Sequence, residues 1–186
     1  MIEIERRFLC RVEDPAALAG ASRRSTIRQG YLTEGEPAVR IRRRDEEYVL
    51  TIKAGRGSVR REVEVPVDAD AGAALLAMAG DRRVDKTRYV LGRWEIDVFG
   101  GPLEGLVLGE VELHHAAEPL PPPPPGIAIV REVTDEAMYT NQRLAHLDPD
   151  AARRLAREGG AAAGPAGSRP GRGSSRAAGE SGARGS

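Results

Sequence analysis

The sequence has little cysteine and few aromatic residues, and it has no long hydrophobic run. Cys10 is the single cysteine of the 186 residues, so an internal disulfide framework is excluded and a reducing compartment is expected. Aromatic residues make up 4% of the chain, which is few for a protein that stacks bases of nucleic acid. No apolar stretch approaches membrane-spanning length. We therefore expect a cytoplasmic protein, a monomer or homodimer, with no nucleic acid and no membrane as partner.

Lysine is also scarce, although the total charge is balanced. Lys+Arg and Asp+Glu number 28 each, so the net charge is zero and there is no basic excess that would indicate nucleic acid. Lys53 and Lys86 are the two lysines, and every other basic residue is arginine. These two positions are candidates for sites that need a compact ammonium group.

Alternating and β-branched segments predict many short strands and few helices. The predicted strands are 1–9, 25–33, 38–44, 48–54, 59–67, 84–91, 94–99 and 106–114, with one more short strand at 130–133. The predicted helices are 15–19, 68–79, 137–147 and 149–157. Consecutive short strands joined by hairpins indicate a closed antiparallel barrel or a sandwich. The last residues, 158–186, are rich in Gly, Ala, Ser and Arg, and we expect them to form a disordered tail.

Carboxylates recur in pairs at i and i+2 within the predicted strands, which places both members on one face. The pairs are Glu3/Glu5, Glu62/Glu64, Glu95/Asp97 and Glu110/Glu112, and basic residues on matching faces are Arg7, Arg40, Arg42, Lys53, Lys86 and Arg88. The charged faces can be the wet surfaces of a sandwich or the lining of an open barrel. Paired carboxylates repel unless a cation lies between them, and oxygen ligands suit Mg²⁺ or Mn²⁺. Arginine and lysine beside them suit a polyphosphate.

The first strand, MIEIERRFL, is similar to the Glu-x-Glu-x-Lys strand that opens members of the CYTH domain family, also called triphosphate tunnel metalloenzymes. Further similar stretches follow in order to about residue 147, namely VRIRRR at 39–44, LTIKAG at 50–55, RREVEV at 60–65, KTRYV at 86–90, WEIDVF at 94–99, GEVEL at 109–113 and EVTDEAMYTN at 132–141. The resemblance implies a mainly β (α+β) fold, an eight-stranded antiparallel β-barrel tunnel with flanking helices, formed by a domain of residues 1–157.

The resemblance also implies an activity, the metal-dependent hydrolysis of inorganic triphosphate to pyrophosphate and phosphate, with Mg²⁺ or Mn²⁺ as cofactor. Thiamine triphosphate, a nucleoside triphosphate, ATP cyclised to cyclic AMP, and a polyphosphate- or nucleotide-binding module without turnover are the alternatives. By analogy with the family, phosphates would be bound by Arg40, Arg42, Lys53, Lys86 and Arg88. Metals would be held by Glu3, Glu5, Asp97, Glu110 and Glu112, with Glu62 and Glu64 helping to place a second metal or the attacking water.

Arg7 departs from the family pattern, because the family has lysine at this position. A lysine with a lowered pKa can release a proton and take part in activating water, whereas an arginine effectively cannot. We therefore predict that Arg7 is a fixed clamp for phosphate or carboxylate. Tyr31 lies where a tyrosine partner of that lysine would be expected. Water activated by metal and a carboxylate is then the expected nucleophile.

Overall fold

A single antiparallel sheet of nine strands forms the body of the protein, whose computed structural model describes residues 4–54, 61–115 and 117–161. The strands are β1 (Ile4–Val12), β2 (Arg23–Tyr31), β3 (Ala38–Arg44), β4 (Glu47–Ala54), β5 (Arg61–Val67), β6 (Arg83–Leu91), β7 (Trp94–Phe99), β8 (Val107–Leu113) and β9 (Ile127–Glu132). The α-helices are α1 (Ala69–Ala79), α2 (Asn141–Ala145) and α3 (Pro149–Ala161), and 3-10 turns lie at Pro15–Gly20, Gly101–Leu103 and Ala137–Tyr139. The predicted mainly β fold with flanking helices is confirmed, and β9 is the additional short strand.

The strand order is β5-β4-β3-β2-β6-β7-β8-β1-β9, and neighbouring strands pair antiparallel. Lys53 of β4 and Glu5 of β1 line one cavity, although their strands are six positions apart in this order. In a flat sheet such strands would be about 29 Å apart. The sheet is therefore strongly curved around the cavity. Among the described residues β5 and β9 are its two edges, so the hydrogen-bonded ladders found here do not close the predicted eight-stranded ring.

The concave face is charged over much of its area and apolar at one end. Leu9, Tyr31, Val84 and Leu108 lie at the apolar end and pack with residues of α2 and α3, including Leu144 and Ala156. The two terminal helices therefore plug one end of the enclosed space. This inward-facing apolar plug is a feature that the sequence patterns do not predict.

The convex face has a second apolar cluster, in which Phe8 and Cys10 pack with Trp94 and Ile96. Cys10 is 1% exposed, and burial raises the pKa of its thiol to about 12. Cys10 is thus a small buried apolar residue, as its position in the first strand predicts.

Helix α1 crosses the convex face of β2, β3 and β4. The Asp68 carboxylate accepts a hydrogen bond from the backbone N–H of Ala71, and Gly80 ends the helix with a φ of 58°, as the predicted helix 68–79 requires. Close approach to the sheet occurs at Gly72, where an added Cβ would lie 2.3 Å from the ring of Tyr48. This helix supports the strands that carry the arginines of the cavity.

The C-terminal elements differ in detail from the predicted helices. A 3-10 turn and the short helix α2 replace the continuous helix predicted over 137–147, because Thr140 begins α2 by accepting a hydrogen bond from the N–H of Arg143. Helix α3 begins at Pro149 as predicted and continues to Ala161, while residues 162–186 of the predicted tail lie outside the described residues. None of the described helices is long and apolar enough to cross a membrane.

Candidate active site

Side chains from β1, β2, β3, β4, β6, β8 and α2 surround a cavity of about 220 Å³ on the concave face. Its polar lining consists of Glu5, Arg7, Gln29, Arg40, Arg42, Arg44, Lys53, Lys86, Arg88, Glu110 and Asn141. A neighbouring cavity of about 190 Å³ shares Arg7, Arg40, Lys53 and Asn141 with it and adds Tyr31 and Thr51. The structure therefore gathers the predicted phosphate-binding residues around the first of these cavities.

Strand pairing brings the bases of β3 and β4 beside the carboxylates of β5. Lys53 lies opposite Glu62 in the β4–β5 ladder, and its Nζ is 2.8 Å from Glu62 Oε2. Arg40 Nη2 and Arg42 Nη2 are each 3.5 Å from Glu64 Oε1. The predicted pair Glu62/Glu64 thus contacts bases that line the cavity without lining it, and the arginine contacts are loose enough to be exchanged for a bound anion.

Lys86, Arg88 and Asp97 form the most buried ionic group of the site. Lys86 Nζ is 2.5 Å from Asp97 Oδ2, and Arg88 Nε and Nη2 donate to Oδ1 and Oδ2 of Asp97, each at 2.7 Å. Burial alone would raise the pKa of Asp97, but the charges of Lys86 and Arg88 hold it below its usual value. Asp97 therefore fixes two bases at the cavity wall, and its predicted place among the metal ligands remains a prediction.

Arg7 lies between two acidic residues, Glu5 and Glu110. Its Nε donates to Glu110 Oε1 at 2.9 Å, and its Nη2 donates to Glu5 Oε1 at 2.5 Å. The other oxygen of Glu110 accepts a hydrogen bond from Arg88 Nη2 at 2.7 Å. The guanidinium of Arg7 is thus a carboxylate clamp in this structure, and it also borders both cavities.

The acidic residues of β1 and β8 are adjacent. Glu5 lies opposite Glu112, and Arg7 lies opposite Glu110, in the β1–β8 ladder. Burial and the negative charge of Glu110 raise the pKa of Glu5, against the opposing charge of Arg7. Within the described residues no group of three acidic, histidine or cysteine side chains converges on one point suited to a metal ion, and Glu3 lies outside that part of the chain.

Tyr31 borders the smaller cavity together with Arg7 and Arg40. Its hydroxyl oxygen accepts a hydrogen bond from Gln29 Nε2 at 2.6 Å. Burial raises the pKa of Tyr31, although the charge of Arg40 opposes this effect. The phenol is therefore protonated near neutral pH, so it is not available as a base there.

Sequence reasoning did not assign Gln29, Arg44 or Asn141 to the site. Gln29 and Arg44 continue the alternation of Tyr31 and Arg42 along β2 and β3, so period-two patterning contains the signal for both. Asn141 begins α2 and accepts a hydrogen bond from Lys86 Nζ at 3.1 Å. That contact depends on how α2 docks against the sheet, which local sequence does not specify.

The curved antiparallel sheet encloses a cavity lined by paired cations and carboxylates. This arrangement defines a class of protein that binds a polyanion together with a cation. The chain belongs to the CYTH domain family, whose model matches residues 1–121. The family resemblance of the sequence is thereby confirmed.

Relatives with established names agree with this assignment. The chain is 37% identical over 155 residues to an inorganic triphosphatase of Nitrosomonas europaea, covering 78% of this chain and 97% of the relative. It is 31% identical over 150 residues to an inorganic triphosphatase of Acetivibrio thermocellus, covering 76% of this chain and 92% of the relative. A crystal structure of an inorganic triphosphatase superimposes with a TM-score of 0.62 at 35% identity, covering 80% of this chain and 97% of that chain.

Proposed function

We propose that the protein hydrolyses inorganic triphosphate to pyrophosphate and phosphate in the charged cavity. The observation that carries this proposal is that the bases of β3, β4 and β6 and the carboxylates of β1 and β8 line one cavity. Two relatives that each match more than nine-tenths of their own length are named inorganic triphosphatases, which supports the substrate.

The phosphates are bound by Arg40, Arg42, Lys53, Lys86 and Arg88 in this proposal. The carboxylate contacts of Arg40 and Arg42 are 3.5 Å or longer, so an incoming phosphate oxygen can replace them at small cost. Lys86 and Arg88 are held by Asp97, which limits the conformational entropy that they lose on binding. The fork of each arginine suits the oxygens of a phosphoryl group.

A divalent metal, Mg²⁺ or Mn²⁺, fits the acidic side of the cavity by the chemistry of its donors. Mg²⁺ is usually held by one or two carboxylates together with substrate phosphate, and Glu5 and Glu110 flank one guanidinium there. Burial and the negative charge of Glu110 raise the pKa of Glu5, and a bound cation would offset that negative charge. Glu5, Glu110 and Glu112 would hold the metal once their side chains turn toward one point, on which the described side chains do not converge in this structure, with Glu3 and Asp97 as the remaining predicted ligands. When bound, the metal supplies positive charge that offsets the charge of phosphoryl transfer.

The remaining residues orient the reactants. Arg7 keeps Glu5 and Glu110 in place and cannot serve as a base, because a guanidinium holds its proton. Tyr31 donates its hydroxyl proton as a hydrogen bond to a phosphate oxygen. Glu62 and Glu64, which are partly exposed and contact the bases Lys53 and Arg40, orient the attacking water and accept its proton.

Binding without turnover is the second candidate, and one observation favours it. Both carboxylate oxygens of Glu110 accept hydrogen bonds from guanidinium groups, which reduces the lone pairs available to a metal. Thiamine triphosphate and nucleoside triphosphates carry the same triphosphate group that the bases would contact, and they differ from inorganic triphosphate only in what is attached to it. They are therefore included in the same phosphate-release assay.

The test is phosphate release from inorganic triphosphate, thiamine triphosphate and ATP, each with Mg²⁺, with Mn²⁺ and with a chelator. We expect the fastest release from inorganic triphosphate and none with the chelator. Arg42→Gln should reduce kcat/KM by about tenfold or more, since a charged hydrogen bond is lost. Arg24→Gln, on the exposed face of β2, is the matched control and should match the wild type. If neither Mg²⁺ nor Mn²⁺ stimulates phosphate release from any of the three substrates, the proposal of a metal-dependent enzyme is refuted. Faster release from ATP than from inorganic triphosphate would refute inorganic triphosphate as the substrate.

A further inference from the structure

Arg44 lines the cavity but has no role in the function proposed above. It continues the alternating row of Arg40 and Arg42 along β3, and its side chain reaches the same space. Among the described residues Arg44 has no carboxylate partner within 4.0 Å, and its Nε, like that of Arg40, is buried without a hydrogen-bond partner. A buried guanidinium nitrogen without an acceptor is costly unless a ligand supplies one.

Neutralisation by carboxylates decreases along this row. Arg40 is within 4.0 Å of both Glu62 and Glu64, Arg42 is near Glu64 alone, and Arg44 has no such neighbour in the described part of the chain. Burial lowers the pKa of Arg42, and the charges of Arg40 and Arg44 lower it further. Counted by ion pairs within 4.0 Å, positive charge is therefore least compensated at the Arg44 end of the row, where Glu47 lies opposite Arg44 in the β3–β4 ladder without forming such a pair among the described residues.

The register places Arg44 beside bases of the proposed triphosphate site. Ile27 of β2 pairs with Arg44 on one side and with Lys86 on the other, so these two bases flank a single strand position. Along β3 the side chains of Arg40 and Arg44 emerge about 13 Å apart. A row of this length reaches beyond the phosphates held by Arg40 and Arg42.

We propose that Arg44 forms, with Arg42 and Lys86, a subsite for one more phosphoryl group, so that the cavity binds linear inorganic polyphosphates of four or more phosphates more tightly than triphosphate. The subsite rests on the proposed function only in that the cavity binds a polyphosphate. It does not require turnover or metal. Arg44 thus determines which length of polyphosphate chain the cavity prefers.

The test is calorimetric titration of the full chain with inorganic triphosphate and with linear inorganic tetraphosphate, both in chelator so that metal-dependent hydrolysis cannot occur. We expect wild-type protein to bind tetraphosphate about tenfold more tightly, as one charged hydrogen bond provides. Arg44→Gln should remove this preference while changing the triphosphate Kd by less than about threefold, since a distant charge is partly screened. Arg44→Lys should keep part of the preference, and Arg24→Gln should keep all of it.

Several outcomes overturn the subsite. Equal wild-type affinity for the two anions overturns it, and so does a loss of affinity in Arg44→Gln that is the same for both. If Arg44→Gln fails to fold, Arg44→Met keeps the apolar stem of the side chain and carries the same expectation. Tetraphosphate preference that depends on Arg44 in a protein without phosphate release would uphold the subsite and refute the triphosphatase proposal, so the two failures are distinguishable.

Discussion

Arg7 is the residue at which this chain departs from the lysine expected in its family. Its guanidinium contacts Glu5 and Glu110 at the same time through two different nitrogens. The compact ammonium group of a lysine is less suited to bridge two carboxylates in this way. The guanidinium of Arg7 stays protonated, so the side chain cannot act as a base. A protonated clamp holds the carboxylates in place and leaves proton transfer to other residues.

Arg7→Lys tests this interpretation through the pH profile. We expect kcat of the variant to rise with pH as the lysine loses its proton, at a pH set by burial, which lowers the pKa of a lysine, and by the charges of Glu110 and Glu5, which raise it. Wild-type protein should show no such rise, since Arg7 stays charged. The measurement is kcat for triphosphate from pH 6 to pH 10 at saturating metal. Identical profiles for the two proteins would show that the identity of this base does not matter.

Glu110 and Glu112 provide the residue-scale test of the metal. The double variant Glu110→Gln, Glu112→Gln should lose metal-dependent activity while it keeps the fold, because amides replace carboxylates of nearly equal size. Titration with Mn²⁺ should show an affinity lowered by about tenfold to 100-fold, because two carboxylates at the metal site are lost. Glu104→Gln, in an exposed turn, is the control. Unchanged Mn²⁺ affinity in the double variant would remove these residues from the metal site.

Asp97 and Lys86 are both almost completely buried, with side chains 1% and 3% exposed. Asp97→Asn leaves Lys86 and Arg88 short of a buried negative charge, so we expect a loss of about 3–5 kcal/mol in the free energy of unfolding. Urea unfolding at pH 7 measures it. A change below about 1 kcal/mol would contradict the structural role given to this pair.

The same pair makes a prediction about pH. The folded-state pKa of Asp97 lies below its unfolded value, so its contribution is complete above the unfolded pKa and is lost as pH falls through the folded pKa. Wild-type stability should therefore fall in acid more steeply than the stability of Asp97→Asn. Urea unfolding at pH 7 and at successively lower pH compares the two slopes, and parallel slopes would contradict the assigned charge state.

At the scale of elements, the packing of α1 on the sheet depends on glycine. Gly72→Ala places a Cβ within 2.3–2.6 Å of Tyr48 atoms, so helix and strand must separate. We expect a loss of about 1–3 kcal/mol, typical of an overpacked contact. Gly20→Ala, which meets nothing within 4 Å, is the control. Thermal unfolding of both variants checks the prediction, and equal Tm values would show that α1 adjusts freely.

Strands with a strong alternation of side-chain types could be predicted from the sequence. Features that depend on how the terminal helices pack against the sheet could not. The row Arg40 and Arg42 and the pair Glu62/Glu64 follow from period two within single strands. The plug formed by α2 and α3 does not, because it brings Leu144 and Ala156 against inward-facing residues that are distant in sequence. For the same reason Asn141 could not be paired with Lys86 from sequence.

At the scale of the whole molecule, the curvature of the sheet decides between the two architectures that the sequence leaves open. The charged faces of β4 and β1 meet at one cavity, and this excludes a flat sandwich face for them. Cations and carboxylates that would be weakly interacting on an open surface are therefore concentrated in a confined, partly desolvated space, where their interactions with a polyanion are stronger.

Conversion of inorganic triphosphate in this cavity is the central claim. Phosphorus-31 NMR of triphosphate with the wild-type protein, with Mg²⁺ and then with a chelator, tests it most directly. We predict one pyrophosphate and one phosphate for each triphosphate consumed with Mg²⁺, and an unchanged triphosphate spectrum with the chelator. A spectrum in which triphosphate persists in the presence of Mg²⁺ and Mn²⁺, while calorimetry shows that it binds, would contradict the claim and identify the cavity as a binding site without turnover.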